Sequence, residues 1–122
     1  MREQVLRLLA AEAVRGAQER VGKGKVMTAE QVRWGLENLN LTQAKLDALG
    51  FAGVMRPVST SCQDHMGTTY LRIHTWDGTK WGFSSDWYQA DEQILKPLIK
   101  AAADKYAAEK KLQRRTPADC QS

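Results

Sequence analysis

The chain has 122 residues, of which 43% are apolar and 26% charged, with 18 Lys and Arg against 14 Asp and Glu for a net charge of +4. That length suits one domain with a modest core, and the balance of apolar and charged residues excludes wholesale disorder. No apolar run approaches the roughly 18 residues of a membrane span, and the mild positive charge does not by itself argue for nucleic acid.

Residues 3–21 read as a helix. Val5, Leu6, Leu8, Leu9, Ala13, Ala17 and Val21 recur mostly at three- and four-residue steps, with Glu3, Arg7, Arg15 and Glu19 mostly off that stripe. Gly16 inside it costs about 1 kcal/mol relative to Ala and is expected to mark a close packing contact. Arg2 and Ala11-Glu12-Ala13 imitate the ends of an export signal, but Arg7 breaks the apolar run between them, so no signal peptide is expected. Gly22-Lys23-Gly24-Lys25 is a loop without the ending of a phosphate loop.

Thr28-Ala29-Glu30-Gln31 is a capping box, which starts a second helix reaching about Asn38. Val32, Leu36 and Leu39 share its stripe. Thr42 caps a shorter third helix with Leu46 and Leu49 apolar, and Gly50 is a natural terminator for it. From Phe51 the period changes, and Val54 to Val58 read as an extended segment broken by Pro57. Cys62 is placed in a strand, and Asp64-His65-Met66-Gly67 in a turn. Residues 68–76 alternate, with Tyr70, Arg72, His74 and Trp76 on one face. Asp77-Gly78 then marks a hairpin that sets Trp76 opposite Trp81. A last helix follows, with Pro97 expected in its first turn and Leu98, Ile99, Ala102, Tyr106 and Ala107 on its inner stripe. Residues 112–122 read as a polar, frayed tail. The sum is an α+β chain: about four helices and a small antiparallel hairpin sheet.

The chemistry is sparse. Asp64 with His65 and His74 can be drawn as a two-histidine, one-carboxylate set, but the spacing matches no metal motif, so no metal is expected. Ser59, Ser61, Ser84 and Ser85 lack a nucleophile-elbow context, and Cys62 and His65 share one turn, so no catalytic activity and no cofactor are expected. Tyr70, Trp76, Trp81, Phe83, Trp87 and Tyr88, with Arg72 and Lys80, could stack single-stranded nucleic acid. The interspersed Asp77, Asp86, Asp91 and Glu92 favour instead aromatics that cover one sheet face against a helix or another lobe. For Cys62 and Cys120, a bridge and two separate thiols are equally open.

Three stretches carry a family likeness: GKGKVMTAEQVRWGLENLNLT (22–42), CQDHMGTTYLRIHTWDGTKWGFSSDW (62–87) and PLIKAAADKYAAEK (97–110). Together they resemble the C-terminal end of type I periplasmic substrate-binding proteins of ABC transporters, in the group that takes branched-chain amino acids, amides or aromatic acids. The resemblance implies that residues 1–111 derive from the second lobe of a two-lobed α/β binding fold. It implies a truncated, non-catalytic solute-binding component, with Asp64 and His65, in the turn near the last interlobe crossing, as the only ligand-site candidates. It further implies a homodimer or swapped dimer, a small-molecule ligand where the other lobe is supplied, an ABC permease as partner, and a periplasmic location (cytoplasmic if Met1 is the natural start). The alternatives are a free-standing binding module that uses the aromatic face, and a small basic nucleic-acid binder.

Overall fold

The computed structural model describes residues 2–120, which fall into two units: residues 2–68 together with 115–120 form unit 1, and residues 69–114 form unit 2. The single domain expected from length is thus divided, and the division follows where apolar side chains are buried.

Unit 1 begins with α1 (Arg2–Val21), followed by α2 (Ala29–Leu36), β1 (Asn40–Leu41), α3 (Gln43–Ala48) and β2 (Val58–Ser59). The capping box of α2 is formed: the Thr28 hydroxyl accepts from the Gln31 amide, and the Gln31 side chain accepts from the Thr28 amide. Thr42 caps α3 in the same way, through the Lys45 amide. At the other end of α3, Gly50 takes a positive φ of 78°. The Phe51 amide then donates to Leu46 and the Gly50 amide to Asp47, the paired bonds of a Schellman motif. This turn returns Phe51 and Leu49 to the core that Leu46 anchors.

That core consists of Leu8, Leu41, Leu46, Met55 and Val58, with Val5, Leu9, Leu49 and Phe51 packed against it. Leu41 and Leu46 are fully buried. β1 and β2 pair antiparallel, Leu41 opposite Val58, and Thr60 fastens this ribbon to the end of α2. Its hydroxyl donates to the Leu36 carbonyl at 2.6 Å and accepts from the Leu39 amide at 3.1 Å, while its own amide donates to the Leu39 carbonyl.

α1 and α2 pack closely through small residues. Ala13 and Ala17 are each 1% exposed, and Gly35 is buried opposite them. A Cβ at Gly35 would overlap the carbonyl of Ala13, 2.8 Å from its carbon. The close glycine is therefore Gly35. Gly16, expected in that role, has open space where its side chain would be, because it borders a cavity that Trp34 and Gly35 of α2 also line.

Unit 2 contains β3 (Tyr70–Leu71), β4 (His74–Trp76), β5 (Trp81–Phe83), β6 (Tyr88–Gln89) and α4 (Glu92–Lys110). β3 pairs with β6 and β4 with β5, both antiparallel. The expected hairpin register holds: Trp76 lies opposite Trp81, their rings 5.7 Å apart. The turn is fixed by Asp77, whose carboxylate accepts from the amides of Thr79 and Lys80. These two bonds also hold the Asp77 carboxyl below its usual range. α4 is capped by Asp91, which accepts from the Gln93 amide, so Pro97 falls in the second turn and not the first. Its ring leaves one carbonyl of the preceding turn without an amide partner. No residue of unit 2 is buried. The fold class read from the sequence, four helices with small antiparallel sheets, is the one observed.

Two positions are corrected besides Gly16 and Pro97. Cys62 lies in a bend, because the β1–β2 ladder ends at Ser59. Of the tail expected to fray, residues 121 and 122 lie outside the described residues, and Ala118–Cys120 form a short 3-10 helix bound to Cys62 by a Cys62–Cys120 disulfide, with Cα atoms 5.6 Å apart.

The two glycines of α1 and α2 give opposite expectations. Gly16→Ala should raise the unfolding free energy by up to about 1 kcal/mol through helix propensity alone. Gly35→Ala should lower it by about 1–3 kcal/mol or more through overpacking. Urea melts of the two variants measure both.

Candidate functional site

Two buried residues of the described chain carry charge, Glu12 and Glu37. A buried carboxylate needs cationic or hydrogen-bonding partners, so each marks a place where the fold has collected them.

Glu37 is the C-cap of α2. An acidic group at a helix C-terminus opposes the helix dipole, so its charge must be compensated from outside the helix. Arg115 supplies that compensation from the tail, through a guanidinium–carboxylate contact. His65 adds to it, with Nε2 3.2 Å from Glu37 Oε1. The Arg115 hydrogen bond holds the Glu37 carboxyl below its ordinary value near 4.5; burial works against this, and the charges of Arg115, His65 and Arg33 reinforce it. Arg115 also donates to the Asp119 carbonyl, and Asp119 in turn accepts from the Thr116 amide and hydroxyl. The tail is therefore a folded clasp closed covalently by Cys120.

Asp64 and His65, the two residues singled out from sequence, part company here. Asp64 organises its own turn: its carboxylate accepts from the Met66 amide, and its amide donates to the Ser61 hydroxyl. His65 reaches Glu37. Glu37 and Arg115 themselves escaped the sequence reading. The signal available was an acidic residue at a helix end where a basic one is usual.

Glu12 lies on α1 and is paired with Arg15 at 3.1 Å and Lys45 at 3.8 Å. Beside it is a cavity of about 300 Å³ that also touches Trp34 and Asn38. Arg20, at its rim, stacks 4.5 Å from the Trp34 ring. A smaller hollow of about 200 Å³ opens between Val21, Gln31 and Trp34. His74, the other half of the drawn metal set, stacks on Phe83 in unit 2. Among the described residues, no group of three His, Cys, Asp or Glu could hold a metal ion. Both buried carboxylates are neutralised by basic side chains, an arrangement that holds structure together.

No protein-family model and no curated protein matches the chain. A solved structure does match: one described as the crystal structure of an ABC transporter permease from the Pseudomonas fluorescens group, at 42% identity and a TM-score of 0.83. The match covers 93% of this chain and 27% of that chain, so the present chain spans about a quarter of the length of its structural relative. This finding corrects the expectation of a type I substrate-binding protein, and with it the solute-binding function; it does not show derivation from a binding-protein lobe. It likewise gives no support to a free-standing module or a nucleic-acid binder. The motifs behind that expectation turn out to be a capping box, a tight turn and a hairpin, which local backbone physics would write into many unrelated chains. Among the described residues, no helix is long and apolar enough to cross a membrane.

Two outcomes are expected of the clasp. Reducing the Cys62–Cys120 bridge should cost unit 1 roughly 2–5 kcal/mol, read from urea melts with and without reductant. A carboxyl whose pKa is depressed in the fold stabilises it above the unfolded pKa and ceases to do so as pH falls through the folded value. The urea midpoint should therefore drop on acidification from about pH 5 to about pH 3, and drop less in Glu37→Gln.

Proposed function

We propose that this chain serves an ABC-transport system, as a non-catalytic part of a permease component of the kind its structural relative is described as. The observation that carries the reading is that match, 42% identical across 93% of the chain. At such a likeness the fold is held in common.

Charge supports a place outside the lipid. α1 carries Arg7, Glu12, Arg15, Glu19 and Arg20; α4 carries Lys96, Lys100, Asp104, Lys105 and Glu109. Each such side chain would cost several kcal/mol in a bilayer core. The Cys62–Cys120 bridge supports an oxidising compartment. The pairing of Glu12 and Glu37 with Arg15, Lys45 and Arg115 supports a structural role for these two buried carboxylates.

The test is affinity purification of the tagged chain from detergent-solubilised membranes of its own host. Recovery of an ATP-binding subunit with a Walker-type phosphate loop is expected, together with loss of ATP-driven uptake of a transported solute when the coding sequence is deleted. Unchanged uptake with no such subunit recovered would sink the reading.

A further inference from the structure

Unit 2 has well-defined secondary structure and no interior. None of its residues is buried, and α4, 19 residues long, contributes nothing to any core. An isolated helix of that length is marginal in water, and so is a two-stranded ribbon. Yet α4 is two-sided over its first three turns, and further on the Lys105–Glu109 ion pair shares the apolar side. Ile94, Leu98, Ile99 and Tyr106, exposed at 64%, 63%, 43% and 56%, gather on one side with Ala102. The other side carries Lys96 and Lys100, ion-paired to Glu92 and Asp104 at 2.6 and 2.7 Å. A helix patterned this way is built to lay its apolar side on protein.

We infer that the apolar side of α4 is the docking face for the polypeptide that makes up the rest of a permease-type component: the counterpart of those residues of the structural relative that lie outside the 27% matched here. The inference rests on the proposed function and adds the surface and its occupant. Two observations favour that occupant over a second copy of this chain. The first is length: most of the relative has no counterpart in these residues, while the part that matches does so with a TM-score of 0.83. The second is area. The chain exposes 9121 Å², whereas two separate compact bodies of the sizes of units 1 and 2 would together expose roughly 7,900 Å². The surplus, roughly 1,200 Å², exceeds the about 800 Å² that one partner contributes to a standard interface. A self-pairing confined to α4 would leave Leu71, Ile73 and Tyr88 of the same unit exposed, all at 50% or more.

Hydrogen exchange on the 122-residue chain, alone and co-expressed with the unmatched part of the relative's polypeptide, tests this. Alone, the chain should be monomeric by analytical ultracentrifugation, and the amides of residues 98–110 should be protected less than about tenfold. In the complex their protection should rise at least about tenfold, and Leu98→Asp with Ile99→Asp should weaken the complex by at least about tenfold, while Lys100→Ala does not. Both aspartates replace exposed residues, and the urea melt of unit 1 checks that folding is retained. Absence of a complex, a complex that leaves α4 unprotected, strong protection of α4 in the monomer, or a homodimer that buries α4 each overturn the inference. A complex through α4 from which no ATP-binding subunit can be recovered would instead sink the proposed function and leave the docking face standing.

Discussion

Apolar burial in this chain is confined to one of its two units, and most of the rest follows from that. Leu41 and Leu46 are sealed by Leu8, Met55 and Val58, and α1 and α2 close over small residues at Ala13, Ala17 and Gly35. A fully buried leucine contributes about 1.5–3 kcal/mol, so a few such residues are enough to set where cooperative stability resides. Residues 69–114 have no equivalent. Their strands and helix satisfy backbone hydrogen bonds locally, and that leaves them dependent on surfaces supplied from elsewhere.

The clasp at Glu37 belongs to the same division. Cys62 precedes residues 69–114 in sequence and Cys120 follows them, so the bridge closes a covalent ring around the segment that has no core. Closing a ring of this size removes about 4 kcal/mol of conformational freedom from the unfolded chain in the entropic picture. The bridge thereby keeps Arg115 near Glu37, and Arg115 makes a buried carboxylate at a helix C-terminus tolerable. Two features that read as unrelated along the chain, a lone cysteine in a polar tail and an acidic residue at a helix end, are halves of one device.

Local signals proved dependable where the physics is local. Thr28 with Gln31, Gly50 after α3, and Asp77-Gly78 between Trp76 and Trp81 each act over four to six residues, and each is formed as read. Apart from Pro97, whose place follows from the Asp91 cap six residues before it, what went astray depended on distant partners. Gly16 and Gly35 look alike in a helical stripe, and only the crossing of α1 with α2 decides which lies against a neighbouring backbone. The inner stripe assigned to α4 is a correct reading of its periodicity, but the helix has nothing to be inner to. Of the site, His65 was visible and its partners were not, because Glu37 and Arg115 stand far from it and from each other in sequence.

Composition and period by themselves determined the α+β class, the caps and the hairpin register, since those depend on backbone geometry and side-chain type within a few residues. Tertiary structure decided the pairing of Cys62 with Cys120, the burial of Glu12 and Glu37, the division into two units and the bare side of α4. Each of these is a statement about which surfaces meet, and a linear pattern fixes which side of an element is apolar without fixing what covers it.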